Sequence, residues 1–224
     1  MKFSIDSEKI LILDFGSQYT QLIARRIREI GVYSEIVSHQ ISFKEIKKNL
    51  PNGIILSGGP ESVYAKKTLT LDPEILNSNI PILGICYGMQ LIAQHFQGKV
   101  KTSKKSEFGN TSITLYRGKI FQKISNKDLN VWMSHGDKVT QLPKGFKKIA
   151  SSKNCSIAAF ANEKHKKYGL QFHPEVTHTE KGSKILEAFI KDVCDCKAKW
   201  RSKNIVEKLI NDIRSQAVSY THLR

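Results

Sequence analysis

The chain has 224 residues and a formal net charge of +16, because 36 lysines and arginines outnumber 20 aspartates and glutamates. It has no apolar run of about 18 residues, so no membrane-spanning helix is expected. Residues 1–10 lack the apolar core of a secretory signal, and four cysteines in a chain of this length do not indicate a disulfide framework. We therefore expect one large cytoplasmic domain with reduced thiols.

The elements expected up to residue 90 alternate between strand and helix, which is typical of a parallel sheet covered by helices. In the first helix, Ile23, Ile27 and Ile30 share one face. The expected elements are strand Ile10–Phe15, helix Thr20–Ile30, strand Tyr33–Val37, helix Phe43–Asn49, strand Gly53–Ser57, helix Asp72–Asn77 and strand Ile82–Ile85.

Later in the chain, residues 98–172 alternate between extended segments and turns, which predicts β-hairpins and the later strands of the sheet. A helix over Ser183–Val193 is expected to pack on that sheet. The predicted fold class is α/β, with a mostly parallel central sheet flanked by helices and with added β-hairpins. Residues 1–200 are expected to form this domain. Residues 201–224 are expected to form a linker-like helix, Lys203–Gln216, and a tail.

The basic charge is spread along the whole chain in short pairs such as Lys47–Lys48 and Lys147–Lys148. Strong positive charge often marks nucleic-acid partners, but here no aromatic residues are interleaved in a basic patch. We interpret the charge as a solvated, lysine-rich surface and expect no nucleic-acid partner. The sequence leaves open whether this positive charge also helps to steer nucleotide substrates towards a partner domain.

Gly84, Cys86 and Gly88 form a Gly-x-Cys-x-Gly pattern between a short apolar run and an amphipathic one. This pattern is typical of a nucleophile elbow, in which one side chain is exposed at a tight turn from strand to helix. The glycines fit the crowded turn, and the dipole of the following helix favours the thiolate of Cys86. The alternative is a structural cysteine buried after a core strand.

A second pattern, His173-Pro174-Glu175, follows a short strand that we expect to end at His173, because Pro174 has no N–H for the ladder. The carboxylate of Glu175 can hold one imidazole tautomer and leave the other ring nitrogen free to act as a base. Cys86, His173 and Glu175 are therefore a candidate nucleophile, base and orienting group. The alternative is a core histidine beside a surface glutamate.

The run Ser57-Gly58-Gly59-Pro60 follows another buried strand. Glycine-rich turns let backbone N–H groups approach a ligand closely, but the Lys-Ser/Thr pair of a phosphate-binding P-loop is absent. An oxyanion site is the better interpretation. The N–H of Gly59 would join that of Tyr87 to bind a developing negative oxygen.

Residues 13–26, 56–63, 84–90 and 171–179 together resemble the class I (triad) glutamine amidotransferases. The elbow and the His-Pro-Glu run mark that family. The first segment, the run Ser134-His135-Gly136-Asp137 and the Val-Thr-His-Thr ending resemble the glutaminase domain of its GMP synthase branch. The resemblance covers roughly residues 8–215 and implies a flavodoxin-like architecture.

The resemblance implies that Cys86 is the nucleophile, His173 the general acid and base, and Glu175 the group that orients it, in hydrolysis of glutamine to glutamate and ammonia. Gly59 and Tyr87 would supply oxyanion N–H groups. The implied substrate contacts are Gln90, Ser134, Gly136 and Asp137. No cofactor or metal is expected in this domain, since the lone pair Cys194 and Cys196 has no second Cys/His pair at zinc spacing.

The implied partner is an ATP-pyrophosphatase (synthetase) domain, whose pyrophosphate loop does not occur in this sequence. With ATP and magnesium it adenylates xanthosine monophosphate (XMP), and ammonia then gives GMP. The expected partners are L-glutamine, that domain with XMP and ATP, and a second copy in a homodimer of the full-length enzyme, with no membrane.

Three other functions remain open from the residues. A class I glutaminase for anthranilate, aminodeoxychorismate or carbamoyl phosphate synthesis would share the elbow and the triad, although the Asp14–Arg26 segment argues against it. A cysteine peptidase or γ-glutamyl hydrolase could use a similar sheet, although Gln90 after the elbow favours free glutamine. A non-enzymatic basic module would bind nucleic acid in a salt-dependent way and release no ammonia.

Overall fold

The structure, a computed structural model, describes residues 8–60, 62–63 and 68–201, and of residues 103–106 only the backbone. In these ranges nine strands form one sheet in the order β2-β1-β3-β4-β9-β8-β7-β5-β6. The strands are β1 Lys9–Asp14, β2 Tyr33–Ser38, β3 Gly53–Leu56, β4 Ile82–Ile85, β5 Lys99–Leu115, β6 Asp128–Gln141, β7 Lys147–Ser152, β8 Ala159–Asn162 and β9 Lys167–Leu170. The helices are α1 Thr20–Ile30, α2 Phe43–Lys47, α3 Pro73–Asn77, α4 Tyr87–His95 and α5 Gly182–Ala188, with a 3-10 turn at Lys119–Phe121 and a π-helical turn at Phe189–Val193.

The sheet has a parallel half and an antiparallel half. Strands β2, β1, β3, β4 and β9 run parallel to one another, in the order that flavodoxin-like sheets have. Strands β8, β7, β5 and β6 continue the sheet with antiparallel pairs. The predicted α/β class, a large sheet flanked by helices, is confirmed. Its parallel part holds only five of the nine described strands, so the hairpin region is nearly as large.

Helices cover both faces of the parallel strands because these strands are apolar on both sides. Alternate residues of β1 divide between two core clusters. Ile12 packs with Ile27 of α1 and Ile185 of α5 in one cluster, whereas Leu13 packs with Leu91 of α4 in the other. This three-layer arrangement fixes the strand ends from which the loops described below project.

Local sequence accounts for where several helices begin and end. Gly31 ends α1 in the left-handed conformation, with φ of 97°. Ser42 and Glu45 form a reciprocal capping box at the start of α2, and the Asp72 side chain caps α3 ahead of a proline in its first turn. The predicted helix over Phe43–Asn49 ends at Lys47, and the one predicted over Ser183–Val193 divides into α5 and the π-helical turn.

The strand predicted to end at His173 ends at Leu170, so that prediction is wrong by three residues. After Leu170 the chain leaves β4 and pairs with other strands. The Gln171 N–H donates to Ala158 O at 2.8 Å, and the His173 N–H donates to Trp132 O of β6 at 3.0 Å. The change of partner, rather than Pro174, therefore ends β9.

Gly88 is expected to be far less tolerant of alanine than Gly109, because of what a Cβ atom would meet. At Gly88 it would lie 2.5 Å from the carbonyl oxygen of Leu56, whereas at Gly109, with φ of +91°, it would meet no described atom within 4 Å. We expect Gly88→Ala to lower the free energy of unfolding by about 2–4 kcal/mol. Gly109→Ala should cost about 1–2 kcal/mol through its backbone conformation alone. Urea unfolding measures both, and equal losses would contradict this account.

In the part of the chain that the structure describes, no helix has the length and apolar character needed to cross a membrane. The helix predicted over Lys203–Gln216 lies outside the described residues.

Candidate active site

Cys86 lies at the turn between β4 and α4 with φ of 50° and ψ of −103°. A residue other than glycine is strained in such a conformation, by about 1–3 kcal/mol, and such strain is concentrated at functional sites. The surrounding backbone fixes the turn. The Cys86 N–H donates to Leu170 O at 2.7 Å, and the Gly88 N–H donates to Ser57 O at 3.2 Å. The strand–turn–helix geometry is therefore the one that the sequence predicts for an elbow.

The crowding of the elbow explains its glycines. A Cβ atom on Gly84 would lie 2.4 Å from the carbonyl carbon and oxygen of Gly88, across the turn. Real Cβ atoms do not approach backbone atoms so closely, and neither group can move without opening the turn. The Gly-x-Cys-x-Gly spacing is thus required by the backbone, whatever chemistry the sulfur performs.

The sulfur of Cys86 is in contact with polar groups from β6 and from the segment that follows β9. It lies 3.5 Å from the carbonyl oxygen of Ser134, to which a thiol can donate, and 3.6 Å from Nε2 of Gln171, which donates to it. Only 6% of the residue is exposed. An amide donor and the N-terminus of α4 both favour negative charge on this sulfur.

His173 and Glu175 form a buried hydrogen-bonded pair beside Cys86. Nδ1 of His173 lies 2.7 Å from Oε1 of Glu175, and the glutamate is fully buried. Burial disfavours the charged imidazole, but the Glu175 carboxylate and the Cys86 side chain outweigh it and raise the pKa of His173 from 6.5 to about 10. The imidazolium form of His173 is therefore favoured at neutral pH, beside the Cys86 sulfur.

Further contacts fix the imidazole ring of His173 in place. Tyr19 places its ring edge-on to the imidazole, with 5.1 Å between the centroids. The hydroxyl of Thr179 donates to the carbonyl oxygen of His173 at 2.6 Å and accepts the N–H of Trp132 at 3.0 Å. The segment after β9 is therefore tied to β6 through Thr179 and Trp132.

Gly59 and Tyr87 both line the cavity around Cys86. A Cβ atom on Gly59 would lie 2.8 Å from the carbonyl oxygen of Phe15, so only glycine fits there without a shift of backbone. Tyr87 is the first residue of α4, and its N–H points out of the N-terminus of that helix. Its hydroxyl donates to Leu69 O at 2.7 Å, which anchors the residue at its other end.

Two cavities meet at Cys86. One, of about 330 Å³, contains the four residues predicted to contact substrate together with the two predicted oxyanion donors: Gly59, Tyr87, Gln90, Ser134, Gly136 and Asp137. The other, of about 310 Å³, reaches His173 past Ser17, Gln18 and Tyr19. All nine predicted site residues are thus together, with Glu175 behind His173. A larger groove of about 880 Å³ near Arg117 has no part in this site, because Cys86 does not line it.

The wall of the first cavity is fixed by two polar contacts. Nε2 of Gln90 donates to the carbonyl oxygen of Asp137 at 2.9 Å, and the Ser62 hydroxyl donates to the Asp137 carboxylate. Gln90 is only 3% exposed, so its amide is held rather than free to move. The cavity therefore presents a carboxylate, a fixed amide and backbone carbonyls around the Cys86 sulfur.

The model of the glutamine amidotransferase class-I family matches residues 11–193, which is most of the chain. The chain belongs to the class I glutamine amidotransferases. The family inferred from the sequence segments is thereby confirmed. A GMP synthase (glutamine-hydrolysing) of Staphylococcus aureus is 50% identical over 216 residues, which are 96% of this chain and 42% of that protein. This amidotransferase chain therefore spans less than half the length of the curated relatives it matches.

Solved structures agree with the assignment. A Thermoplasma acidophilum protein described as one of the subunits of GMP synthase is 33% identical, with a TM-score of 0.74 over 90% of this chain and 98% of that one. A glutamine amidotransferase of Thermotoga maritima is 20% identical, with a TM-score of 0.69 over 84% of this chain and 99% of that one. The second likeness shows the amidotransferase fold alone.

Several residues of this amidotransferase site could not be singled out from the sequence. Tyr19 lies in a segment that carries the family resemblance, but nothing in its spacing indicates a contact with His173. Ser62 and Phe108 line the cavity from a loop and from β5. Gln171 precedes His173 by two residues, and nothing in the His-Pro-Glu pattern indicates its contact with the sulfur. Each of these residues reaches the site through the path of the folded backbone, which the local sequence pattern does not reveal.

Arg26 of α1 reaches the triad segment from outside the cavity. Its Nε donates to the carbonyl oxygen of Glu175 at 3.0 Å, and its Nη1 pairs with Glu29 at 2.9 Å. We expect Arg26→Ala to lower the turnover rate for glutamine about tenfold. Without Arg26 the Glu175 carboxylate would shift slightly, and His173 would then be misaligned with Cys86. Ammonia release at saturating glutamine measures this effect.

Arg25 supplies a matched control for Arg26. It has the same chemistry and pairs with the same Glu29, but its side chain is 74% exposed. Arg25→Ala should leave turnover within about twofold, because surface ion pairs contribute little. Equal losses of turnover in the two variants would show that Arg26 acts through the stability of α1 rather than through its contact with Glu175.

Proposed function

We propose that this chain hydrolyses L-glutamine and supplies the ammonia for amination of XMP to GMP by an ATP-pyrophosphatase domain. The observation that carries the proposal is the contact series from Cys86 through His173 to Glu175, with Cys86 open to a cavity of about 330 Å³. That volume suits a free amino acid, and the cavity walls carry polar groups that an amino acid needs.

Cys86 acts as the nucleophile in this proposal. Its thiolate attacks the side-chain carbonyl carbon of glutamine and forms a tetrahedral oxyanion. His173 gives a proton to the leaving nitrogen, ammonia departs, and a γ-glutamyl thioester remains on the sulfur. His173 then takes a proton from water as the water attacks the thioester, so that glutamate leaves and the thiolate–imidazolium pair returns. Glu175 holds the imidazole tautomer through Nδ1 in both halves.

The oxyanion is stabilised by the N–H groups of Gly59 and Tyr87 in this mechanism. Each such donor typically contributes about 3–4 kcal/mol to the transition state. Donors on a glycine turn and at a helix N-terminus are fixed before the substrate arrives, so little reorganisation is needed when charge develops on the oxygen. The position of both residues at the cavity around Cys86 supports these roles.

Gln90, Ser134, Gly136 and Asp137 bind the amino-acid end of glutamine in this proposal. The Asp137 carboxylate suits the substrate ammonium, and the Gln90 amide can hydrogen-bond its carboxylate. Both residues are more than nine-tenths buried, so these contacts would be made away from bulk water.

The partner in this proposal is a synthetase domain that binds XMP and ATP with magnesium. The 50% identity with a protein named GMP synthase, of which this chain matches 42%, supports it. Residues 1–200 would form the glutaminase domain and residues 201–224 would lead towards the synthetase domain. A homodimer of the full-length enzyme and a cytoplasmic location, where a thiol nucleophile stays reduced, complete the proposal.

The test measures ammonia release from glutamine by this chain alone and with a GMP synthase ATP-pyrophosphatase domain, ATP and XMP. We expect release that increases in the complete mixture and GMP that depends on glutamine. Release that is indifferent to the partner but increased by the acceptor enzyme of another class I pathway would reassign the pathway. No release in any mixture, with Cys86 inert to a diazoketone analogue of glutamine, would contradict the glutaminase itself.

A further inference from the structure

Glu107, His135 and Cys155 form a buried cluster at the cavity wall, and the mechanism above uses none of them. Of the three, His135 lines the cavity. Their ligand-type atoms lie within 4.8 Å of one another, and nitrogen, sulfur and carboxylate oxygen are all groups that zinc accepts. Two ligands of one tetrahedral zinc ion, however, lie only about 3.3–3.7 Å apart. Cys155 already donates its S–H to Ile157 O at 3.3 Å, and burial raises the pKa of its thiol to about 12. These contacts favour a protein-internal polar cluster over a metal site.

Glu107 and His135 face each other across β5 and β6. Oε2 of the glutamate lies 3.3 Å from Nε2 of the histidine, and both side chains are at most 5% exposed. They are the first register pair after an irregularity in β5 that begins at Thr102. After a bulge, the register of the two strands has to be re-established, and a complementary cross-strand pair of side chains can fix that register.

The Glu107 carboxylate is held from a third strand. The Ser152 hydroxyl, at the end of β7, lies 3.0 and 3.3 Å from its two oxygens, and Ser152 Oγ accepts the Cys155 N–H at 2.9 Å. A buried carboxylate is costly, and an apolar pair of similar size would pack at lower cost. Packing alone therefore does not account for the carboxyl group of Glu107 at this position.

The residues next to this pair form the cavity wall. Phe108 follows Glu107, pairs with Ser134 and lines the cavity. On the other strand, His135 lies between Ser134, whose carbonyl contacts the Cys86 sulfur, and Asp137, whose carbonyl holds Gln90. A change in the register of β5 against β6 would move all of these groups relative to the nucleophile.

We propose that Glu107 and His135 are positioning residues that fix this wall for recognition of glutamine, an inference that rests on the proposed function. Glu107 does not line the cavity, whereas His135 is part of its lining. Glu107 therefore acts only through His135 and through the pairing of the two strands. The pair sets where Phe108, Ser134 and Asp137 stand, and therefore how well the glutamine side chain is aligned with the thiolate. The reactivity of Cys86 itself depends on His173 and Glu175, which the pair does not contact.

The experiment compares two labelling rates of Cys86 in the full chain: one with a diazoketone analogue of glutamine, which needs the cavity, and one with iodoacetamide, which needs only the thiolate. We expect Glu107→Ala to slow labelling by the diazoketone about tenfold or more, while the iodoacetamide rate stays within about twofold. Glu107→Gln keeps the shape and one acceptor oxygen and should recover part of the loss. His135→Asn should behave like Glu107→Ala.

Cys155→Ala is the matched control, because it removes an equally buried member of the cluster that does not pair with the wall. Both of its labelling rates should match those of the wild type. Equal rates in all variants, a parallel loss of both rates in Glu107→Gln, or one bound transition-metal ion per purified chain would overturn the inference. A wild-type chain that reacts with iodoacetamide but not with the diazoketone would instead contradict the proposed function.

Discussion

Replacement of Cys86 by alanine is expected to abolish ammonia release from glutamine, with a loss of at least about 10⁴-fold. Removal of the nucleophile from a catalytic triad typically costs that much or more. The other cysteines cannot substitute for it, since Cys155, Cys194 and Cys196 are buried and line neither cavity at the elbow. A coupled ammonia assay with the synthetase domain, ATP and XMP gives the rate.

The control for this loss is Cys155→Ala, which also removes a buried thiol. Its ammonia release should stay close to that of the wild type. Cys86→Ala should also keep its fold, because alanine is smaller than cysteine and two backbone hydrogen bonds hold the strained turn. These bonds run from the Cys86 N–H to Leu170 O and from the Gly88 N–H to Ser57 O. Ammonia release by Cys86→Ala within tenfold of the wild type would end the assignment of Cys86 as nucleophile.

Replacement of His173 by asparagine is expected to have the second largest effect, a loss of about 10²–10⁴-fold in turnover. In the proposed mechanism the imidazole serves twice, as acid for the leaving ammonia and as base for the attacking water. Glu175→Gln should cost less, since the ring stays in place but loses the carboxylate that favours its charged form. Single-turnover experiments with excess enzyme would separate thioester formation from its hydrolysis in both variants.

The contact between His173 and Glu175 also leads to a prediction of how stability depends on pH. The pKa of His173 is raised from 6.5 to about 10 by Glu175 and Cys86 against the effect of burial. A group whose pKa is raised on folding stabilises the folded state fully below its unfolded pKa, and this contribution is lost as the pH rises through the folded pKa. The difference in unfolding free energy between wild type and Glu175→Gln should therefore be largest below about pH 6.5 and should close towards pH 10.

Denaturant unfolding of the two proteins between pH 6 and 10 measures that difference. His95→Gln is a suitable reference, because burial lowers the pKa of His95 and the dependence should have the opposite sign. A wild-type advantage that grows with pH would show that His173 is neutral in the folded protein.

The local sequence pattern was sufficient to predict those features whose residues lie close together along the chain. The elbow could be predicted because strand, crowded turn and helix follow one another directly along the chain, and because Gly84 and Gly88 meet across the turn. The alternating strands and helices of the parallel half follow from apolar periodicity in the same way. His173 and Glu175 are two residues apart, so their pairing needed no knowledge of the fold.

The parts that sequence pattern missed depend on pairing between distant segments. Arg26 and Glu175 are 149 positions apart, and their contact exists only because α1 packs beside the segment after β9. Glu107 meets His135 only in the register that follows the irregularity in β5. The alternation of apolar and polar residues along the sequence does not show how long that irregularity is. The true end of β9 likewise depends on a new partner, β6, rather than on Pro174.

The most direct test of the central claim is a search for the γ-glutamyl thioester on Cys86. The chain, mixed with glutamine and its synthetase partner, is quenched in acid during turnover, and its peptides are analysed by mass spectrometry. We predict a γ-glutamyl adduct on the peptide that contains Cys86, removed by hydroxylamine and absent from Cys86→Ala. Continued ammonia release with no adduct on Cys86 under any quench time, or with the adduct on another residue, would contradict the account.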